Sequence, residues 1–381
     1  MSATHTYVGG PIFDGQTVLE DHAAMFTDNR LFRLVHRSEI PDPGEIIDLG
    51  GDILAPGYVD LQVNGGDGLM LNDAPTVDTL ERMAAAHRRL GTVRLLPTLI
   101  TDRPATTSAA IAATIEAIDA NVPGIAGMHL EGPHLSRARK GAHDGDLIRT
   151  MTDTDLAELI DAKAQLPVLK VTIAPESVTP DQVRTLASAG ILVALGHTEA
   201  DYETCLTYMD AGASLVTHLF NAMSQLGHRA PGCVGAALTR GDISCGLIAD
   251  GIHVHPAAMR TAFSAKQGPG GIYLVSDAMA VAGTDQLTFK LGGREITRRD
   301  GCLTLADGTL AGADLDLTTA IRVCVEDVGL PLDQALRAAT SVPAHLIGTH
   351  AGLVPGKTRL EDVIRIAPDL TCATPLPDKM R

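Results

Sequence analysis

Eight short runs of apolar residues punctuate the middle of the chain, at 58–64, 93–100, 125–130, 168–174, 191–195, 214–219, 244–249 and 272–276. Each has the length of one buried strand, and each is rich in Val, Ile and Leu. Several of the intervals between them repeat with a helical period. These are 77–90, opened by Pro75 and Thr76 and closed by Gly91, then 106–120, 153–164, 180–189 closed by Gly190, and 199–211 closed by Gly212. Thr152, with Asp153 and Asp155 behind it, reads as the N-terminal cap of the third. Strand–helix repetition at intervals of roughly 30 residues, eight times over, predicts an α/β protein of the TIM-type (β/α)8 barrel kind. A doubly wound open sheet would give fewer repeats, and no Gly-x-Gly-x-x-Gly follows the first run.

The pattern changes at both ends. Residues 1–54 break into short strand-like pieces between turn residues such as Gly9–Gly10–Pro11, Asp14–Gly15 and Pro41–Asp42–Pro43–Gly44. A turn at 352–356 and a strand at 362–366 follow the barrel region. The expected organisation is a small β-sandwich domain built from both termini, 1–54 and 350–381, interrupted by a catalytic barrel at 55–349. A hairpin is expected at 287–291 and 294–297 about Gly292–Gly293, with a further strand at 302–305.

Charge and composition narrow the function. Lys and Arg number 30 against 46 Asp and Glu, a net charge of −16 over 381 residues, with no basic cluster. Such a chain is a poor partner for nucleic acid or an anionic membrane, so an anionic small molecule would have to be caught by local groups. With no Trp and 3% aromatic residues, it has little material for stacking platforms. Six scattered Cys without a CxxC pair read as reduced thiols, which places the protein in the cytoplasm. No basic stretch followed by an apolar run opens the sequence, and no window approaches 18 apolar residues, so neither a signal peptide nor a transmembrane helix is expected.

The candidate chemistry sits at the C-terminal ends of the eight runs, the face on which barrel active sites lie. Asp60, Gln62 and Asn64 end the first, Glu131 the third, His197 the fifth and His218 the sixth. Asp250 and His253 follow the seventh, and Asp277 follows the eighth. Glu131, His197 and His218 form a three-ligand set with an open fourth position, of the kind known for catalytic zinc. Such a metal would polarise a carbonyl and acidify a bound water. Asp277 is placed to take that water's proton and return it to the leaving group. Singly, each has a plainer reading: a hydrogen-bonded core His, a buried structural carboxylate, a helix cap. Their coincidence at one barrel mouth favours the metal site. His253 stays open between ligand contact and structure. Asp250 reads as a capping or supporting carboxylate, His134 and His255 as surface or structural residues, and His87, in the first barrel helix, as solvated.

Residues 55–60, Ala-Pro-Gly-Tyr-Val-Asp, resemble the opening of the amidohydrolase superfamily. Segments 129–135 (His-Leu-Glu-Gly-Pro-His-Leu), 196–198 (Gly-His-Thr), 217–223 (Thr-His-Leu-Phe-Asn-Ala-Met), 249–253 (Ala-Asp-Gly-Ile-His), 276–278 (Ser-Asp-Ala) and 308–312 (Gly-Thr-Leu-Ala-Gly) go further. In order, across about residues 50–350, they resemble the N-acetylglucosamine-6-phosphate deacetylases within that superfamily. The resemblance implies hydrolysis of the acetamido group of N-acetyl-D-glucosamine 6-phosphate to D-glucosamine 6-phosphate and acetate. It assigns metal ligation to Glu131, His197 and His218 and proton transfer to Asp277. It places substrate contacts at Ala142, His143, Asn221, Ala222, Arg229, His253, Leu310, Ala311 and Gly312. Arg229 and His253 suit a phosphate or a sugar hydroxyl. The resemblance also implies a homodimer whose neighbouring subunit can supply some of these contacts.

One departure matters. Where many relatives carry His-x-His for a second metal, this chain has Gln62–Val63–Asn64, and amides are weak ligands for a transition metal. Lys170 lies near the start of the fourth run, too deep to serve as a bridging ligand at the mouth. The expectation is one divalent transition metal per chain, Zn2+ first, with Fe2+, Co2+ and Mn2+ acceptable to the same donors. Two other readings stand beside the deacetylase. One is a related hydrolase for another N-acetyl amino-sugar phosphate, such as N-acetylgalactosamine 6-phosphate, or for an N-acyl amino acid. The other is a non-catalytic binding barrel.

Overall fold

The computed structural model describes residues 4–376. Its centre is an eight-stranded parallel sheet whose strands follow one another in chain order. They are β1 (Tyr58–Val63), β2 (Thr92–Ile100), β3 (Met128–Glu131), β4 (Leu169–Ile173), β5 (Leu192–Leu195), β6 (Leu215–Val216), β7 (Ser244–Leu247) and β8 (Ile272–Leu274). Every residue of β1, β3, β4, β6, β7 and β8 is buried, including the polar Asp60 and Gln62 of β1 and Lys170 and Thr172 of β4. The sheet closes where β8 meets β1: Val63 bridges Ala278 in parallel, Asp277 N donates to Gln62 O (3.1 Å), and Asn64 N donates to Ala278 O (2.9 Å).

The expected helices are present, with shifted ends: α1 (Val77–Arg89), α2 (Pro104–Asp119), α3 (Asp153–Gln165), α4 (Pro180–Ser188) and α5 (Tyr202–Asp210). The cap read at Thr152 is a reciprocal one, in which Thr152 Oγ1 accepts from Asp155 N and the Asp155 carboxylate accepts from Thr152 N. Five further helices escaped the sequence reading: α6 (Gly232–Thr239), α7 (Pro256–Ala265), α8 (Leu317–Glu326), α9 (Leu332–Ala339) and α10 (Ser341–Leu346). Helix α6 is apolar on every side and almost wholly buried, so it carries no amphipathic signature.

Strands from both ends of the chain pair with one another. Val363–Ile366 lies antiparallel to Ile53–Pro56, in a five-stranded sheet with Ala373–Pro375, Ile12–Phe13 and Val18–Leu19. A four-stranded sheet of Thr4–Val8, His22–Thr27, Arg30–His36 and Glu45–Asp48 faces it across a core that includes Tyr7, Ile12, Phe26, Leu54 and Val363. These sheets fit a separate small sandwich. Ile53–Pro56 belongs to that sandwich, so the barrel proper starts after Gly57. The hairpin expected after the barrel strands appears as β9 (Thr288–Leu291), β10 (Arg294–Arg299) and β11 (Cys302–Thr304), joined by an unforeseen β12 (Leu310–Ala313). This sheet lies over the barrel mouth, where Met279, Leu291 and Ala311 pack in one cluster.

Candidate active site

Four of the candidate residues occupy left-handed backbone positions that L-residues adopt only under constraint: His197 (φ 48°), His218 (φ 21°), Ala222 (φ 50°) and Asp277 (φ 49°). His197, His218 and Asp277 lie just past the ends of β5, β6 and β8, so the sharp turn throws each side chain into the mouth. Strands β5 and β6 approach closely enough there that a Cβ on Gly196 would sit 2.3 Å from Thr217 Cγ2, so any larger residue must displace the Thr217 side chain.

The site is buried and mutually hydrogen-bonded. His218 Nε2 lies 3.0 Å from Glu131 Oε1 and 3.0 Å from His197 Nε2, and His197 Nε2 lies 3.6 Å from the same oxygen. His143 Nε2 reaches to 3.7 Å from Glu131 Oε2. Glu131, His143 and His197 present possible ligand atoms within 4.8 Å of one another. Burial pushes the Glu131 carboxyl up, but the hydrogen bonds of His143, His197 and His218 outweigh it and hold the group well below its ordinary value. Burial opposes charge on His218, yet the Glu131 carboxylate prevails and raises it. Burial, with His197 beside it, pushes His143 down to about 4.

Hydrogen bonds separate the two imidazoles beside Glu131. His197 Nδ1 donates to Arg139 O (2.7 Å), which leaves a lone pair on Nε2. His143 Nδ1 accepts from Thr101 N (3.3 Å) and lies 2.8 Å from Thr101 Oγ1, so neutral His143 carries its proton on Nε2. The first can bind a cation through Nε2; the second is a donor aimed at the same place. Asp277 Oδ1 accepts from Asn64 Nδ2 (2.7 Å) and Gln62 Nε2 (3.1 Å), and the same Gln62 nitrogen donates to Glu131 Oε1 (3.1 Å). Burial and the Glu131 charge raise the Asp277 carboxyl.

A cavity of about 250 Å3 opens above these groups. Its wall includes Asn64, Ala142, His143, Asn221, Ala222, His253, Leu310 and Gly312 together with Glu131, His197, His218 and Asp277. His253 Nδ1 donates to Asp250 Oδ2 (2.6 Å), and Asp250 Oδ1 also accepts from the amides of Ile252 and His253, so Asp250 supports His253. The wall also holds Ile100, Ile248, Met279 and Leu291, which no motif marked, and Thr309 from the 308–312 segment. A larger cavity, about 950 Å3, opens at the opposite end of the barrel, where Arg94 pairs with Asp362 (3.0 Å) and no imidazole lines it.

Not every expected residue lines the cavity. Ala311 is fully buried behind the wall rather than in it. Arg229 is exposed on the loop before α6 and does not line the cavity. His87 is buried, not solvated: its Nε2 bonds Gly65 O (2.9 Å), because the first helix packs that face on the strand-1 loop. Asp60 lies below the mouth, accepting from Gln62 N and Ser276 N, and burial pushes it up to about 7. Lys170, fully buried, extends to Leu61 O (3.4 Å) beneath the site and stays out of the cavity. His134 is buried against Arg149 O (3.1 Å), and His255 caps α7 through Ala257 N (3.1 Å); both are structural.

Comparison with known proteins agrees with this arrangement. The amidohydrolase family model matches residues 53–358. An N-acetylgalactosamine-6-phosphate deacetylase of Shewanella sp. (strain ANA-3) is 45% identical over 294 residues, 77% of this chain and 74% of that protein. An N-acetylglucosamine-6-phosphate deacetylase of Haemophilus influenzae is 33% identical over 340 residues, 88% of each. In structure, the N-acetylglucosamine-6-phosphate deacetylase of Pasteurella multocida superposes with a TM-score of 0.90 at 32% identity, covering 96% of both chains.

Proposed function

This chain belongs to the amidohydrolase family, and from that premise we propose that it removes the acetyl group from N-acetyl-D-glucosamine 6-phosphate, releasing D-glucosamine 6-phosphate and acetate. The observation that carries this reading is one cavity holding a carboxylate, three imidazoles whose Nε2 atoms face it, and a separate carboxylate held by amides.

Glu131 Oε1, His197 Nε2 and His218 Nε2 fit a divalent cation. Their separations of 3.0, 3.0 and 3.6 Å bracket the edge, about 3.3 Å, of a tetrahedron with ligands at about 2.0–2.1 Å. When bound there, the cation would polarise the amide carbonyl and acidify the attacking water. Zn2+ is the first choice, and one ion per chain follows from the amides at Gln62 and Asn64.

The chain's own groups do the rest. Asp277, its Oδ1 engaged by two amides, uses Oδ2 to take the proton from water and then delivers it to the departing nitrogen. His143 Nε2–H donates to the carbonyl oxygen as negative charge grows there. His253, held by Asp250, receives the phosphate or a sugar hydroxyl, with Asn221, Ala222, Ala142, Leu310 and Gly312 around the ring. Arg229, exposed in one chain, would be delivered to the phosphate by a neighbouring subunit of a cytoplasmic homodimer.

A second reading, deacetylation of N-acetylgalactosamine 6-phosphate, is favoured by the 45% identity to the Shewanella protein. Acetate release from both 6-phosphates and from unphosphorylated N-acetylglucosamine, with metal content measured in parallel, tests the function. Turnover of a 6-phosphate with little on the free sugar is expected. Equal rates on the free sugar, or release from neither phosphate, would overturn the reading, and the ratio of the two phosphates decides the epimer.

A further inference from the structure

Gln62 and Asn64 stand where many relatives have a pair of histidines, and so look like a site that has lost a metal. Their bonding describes something more active. The Gln62 side chain is fully buried, and all of its hydrogen-bonding capacity toward the site is spent. One nitrogen lies 3.1 Å from Glu131 Oε1 and 3.1 Å from Asp277 Oδ1, so its two hydrogens serve two different carboxylates. The amide oxygen has a single partner, the hydroxyl of Thr217, which donates to it at 2.8 Å. Thr217 is itself fully buried, and it precedes His218 in the chain.

The orientation of this amide is chemically determined. Turned over, it would present its oxygen to two carboxylates. As found, it links the group proposed to hold the metal to the group proposed to move the proton, and Thr217 is the latch that keeps it from rotating about its terminal bond. That bond has only a broad preference of its own, so the partner on the oxygen decides the angle.

We propose that Thr217 is a positioning residue for the hydrolysis, acting through the Gln62 amide to fix the Glu131 and Asp277 carboxylates relative to one another. Two amides and a hydroxyl thus do with neutral dipoles what a second cation does elsewhere: they hold an ionised base in one rotamer, with its other oxygen left for water. The inference rests on the deacetylase reading for its catalytic consequence, but not for its geometric one. A misaligned Glu131 carboxylate also holds a cation less well, whatever the substrate.

The test is a double-mutant cycle of Thr217→Val and Gln62→Met, with Thr217→Ser as the conservative control. Three readouts are needed: kcat and KM on N-acetylglucosamine 6-phosphate, metal retention against a chelator without substrate, and the melting temperature. Thr217→Val should lower kcat about tenfold with KM within about twofold, and should weaken metal retention about tenfold. Thr217→Ser should restore both. In the Gln62→Met background, Thr217→Val should add no further loss in either readout. Equal losses in the two backgrounds would show that Thr217 does not act through Gln62 and would overturn the proposal. So would a lowered melting temperature with kcat and metal retention unchanged. Should Thr217→Val fail to fold, Thr217→Ala enters the same cycle. A wild type that is inert on this substrate while metal retention follows the predicted coupling would defeat the substrate reading and leave the positioning role upheld.

Discussion

At the scale of single residues, the cavity works because similar groups are given opposite duties by their partners. His143 and His197 both approach Glu131, yet a backbone N–H on one Nδ1 and a carbonyl on the other make the first a donor and the second an acceptor. Nothing in the sequence carries that distinction, since it depends on Thr101 and on the carbonyl of Arg139, which no motif marks. The positions of Glu131, His197, His218 and Asp277 were legible, because each closes an apolar run of one strand's length. Asp277 offers the sharpest check. Asp277→Asn keeps the volume and the two amide contacts but removes the basic oxygen. Its kcat should fall at least about a hundredfold, with metal content and melting temperature retained. A folded, metal-loaded Asn variant that turns over within about threefold of wild type would remove Asp277 from the chemistry.

At the scale of elements, strand ends and helix starts do most of the placing. Strands β5 and β6 converge at Gly196 and Thr217, and a methyl group at Gly196 would have to displace the Thr217 side chain. Gly196→Ala should therefore cost about 1–3 kcal/mol of stability, as overpacking does, and should also depress kcat by disturbing the Thr217 hydroxyl. Chemical denaturation and steady-state kinetics on one preparation would check both, and a stable, fully active Ala variant would refute the crowding. At the start of α3, burial favours the neutral form of Asp155, but the Arg149 guanidinium and the Thr152 contacts outweigh it and hold the carboxyl well below its ordinary range. A depressed carboxyl contributes stability above its unfolded value, about 3.9, and loses it as pH falls through the folded value. The stability gap between wild type and Asp155→Asn should shrink from pH 7 to pH 3 in urea titrations; an unchanged gap would deny the linkage. That cap was readable from Thr152 and Asp155. Helix α6 was not, because a uniformly apolar stretch such as Gly232–Thr239 has no periodic contrast to read.

At the scale of the molecule, the barrel gathers the proposed reacting groups around one cavity but leaves Arg229 outside it. Mixed dimers test whether a partner delivers it. A dimer of one Arg229→Ala chain and one Asp277→Asn chain would hold one intact site if Arg229 crosses the interface, and none if it acts at home. At low substrate, co-refolded mixtures should exceed the summed activity of the two parents; strict additivity would argue that each chain uses its own arginine. Both the barrel and the terminal sandwich were visible as changes in hydrophobic rhythm, whereas the register joining Ile53–Pro56 to Val363–Ile366 was not, since it links segments about 300 residues apart. That pairing has a consequence for the chain while it is being made. On a ribosome adding roughly 5–20 residues each second, the strand that leads into the barrel waits tens of seconds for its last neighbour, with one edge bare. An mRNA cut short before codon 363 would therefore yield a chain that owns every reacting group yet keeps an adhesive border, a better client for chaperones than a catalyst.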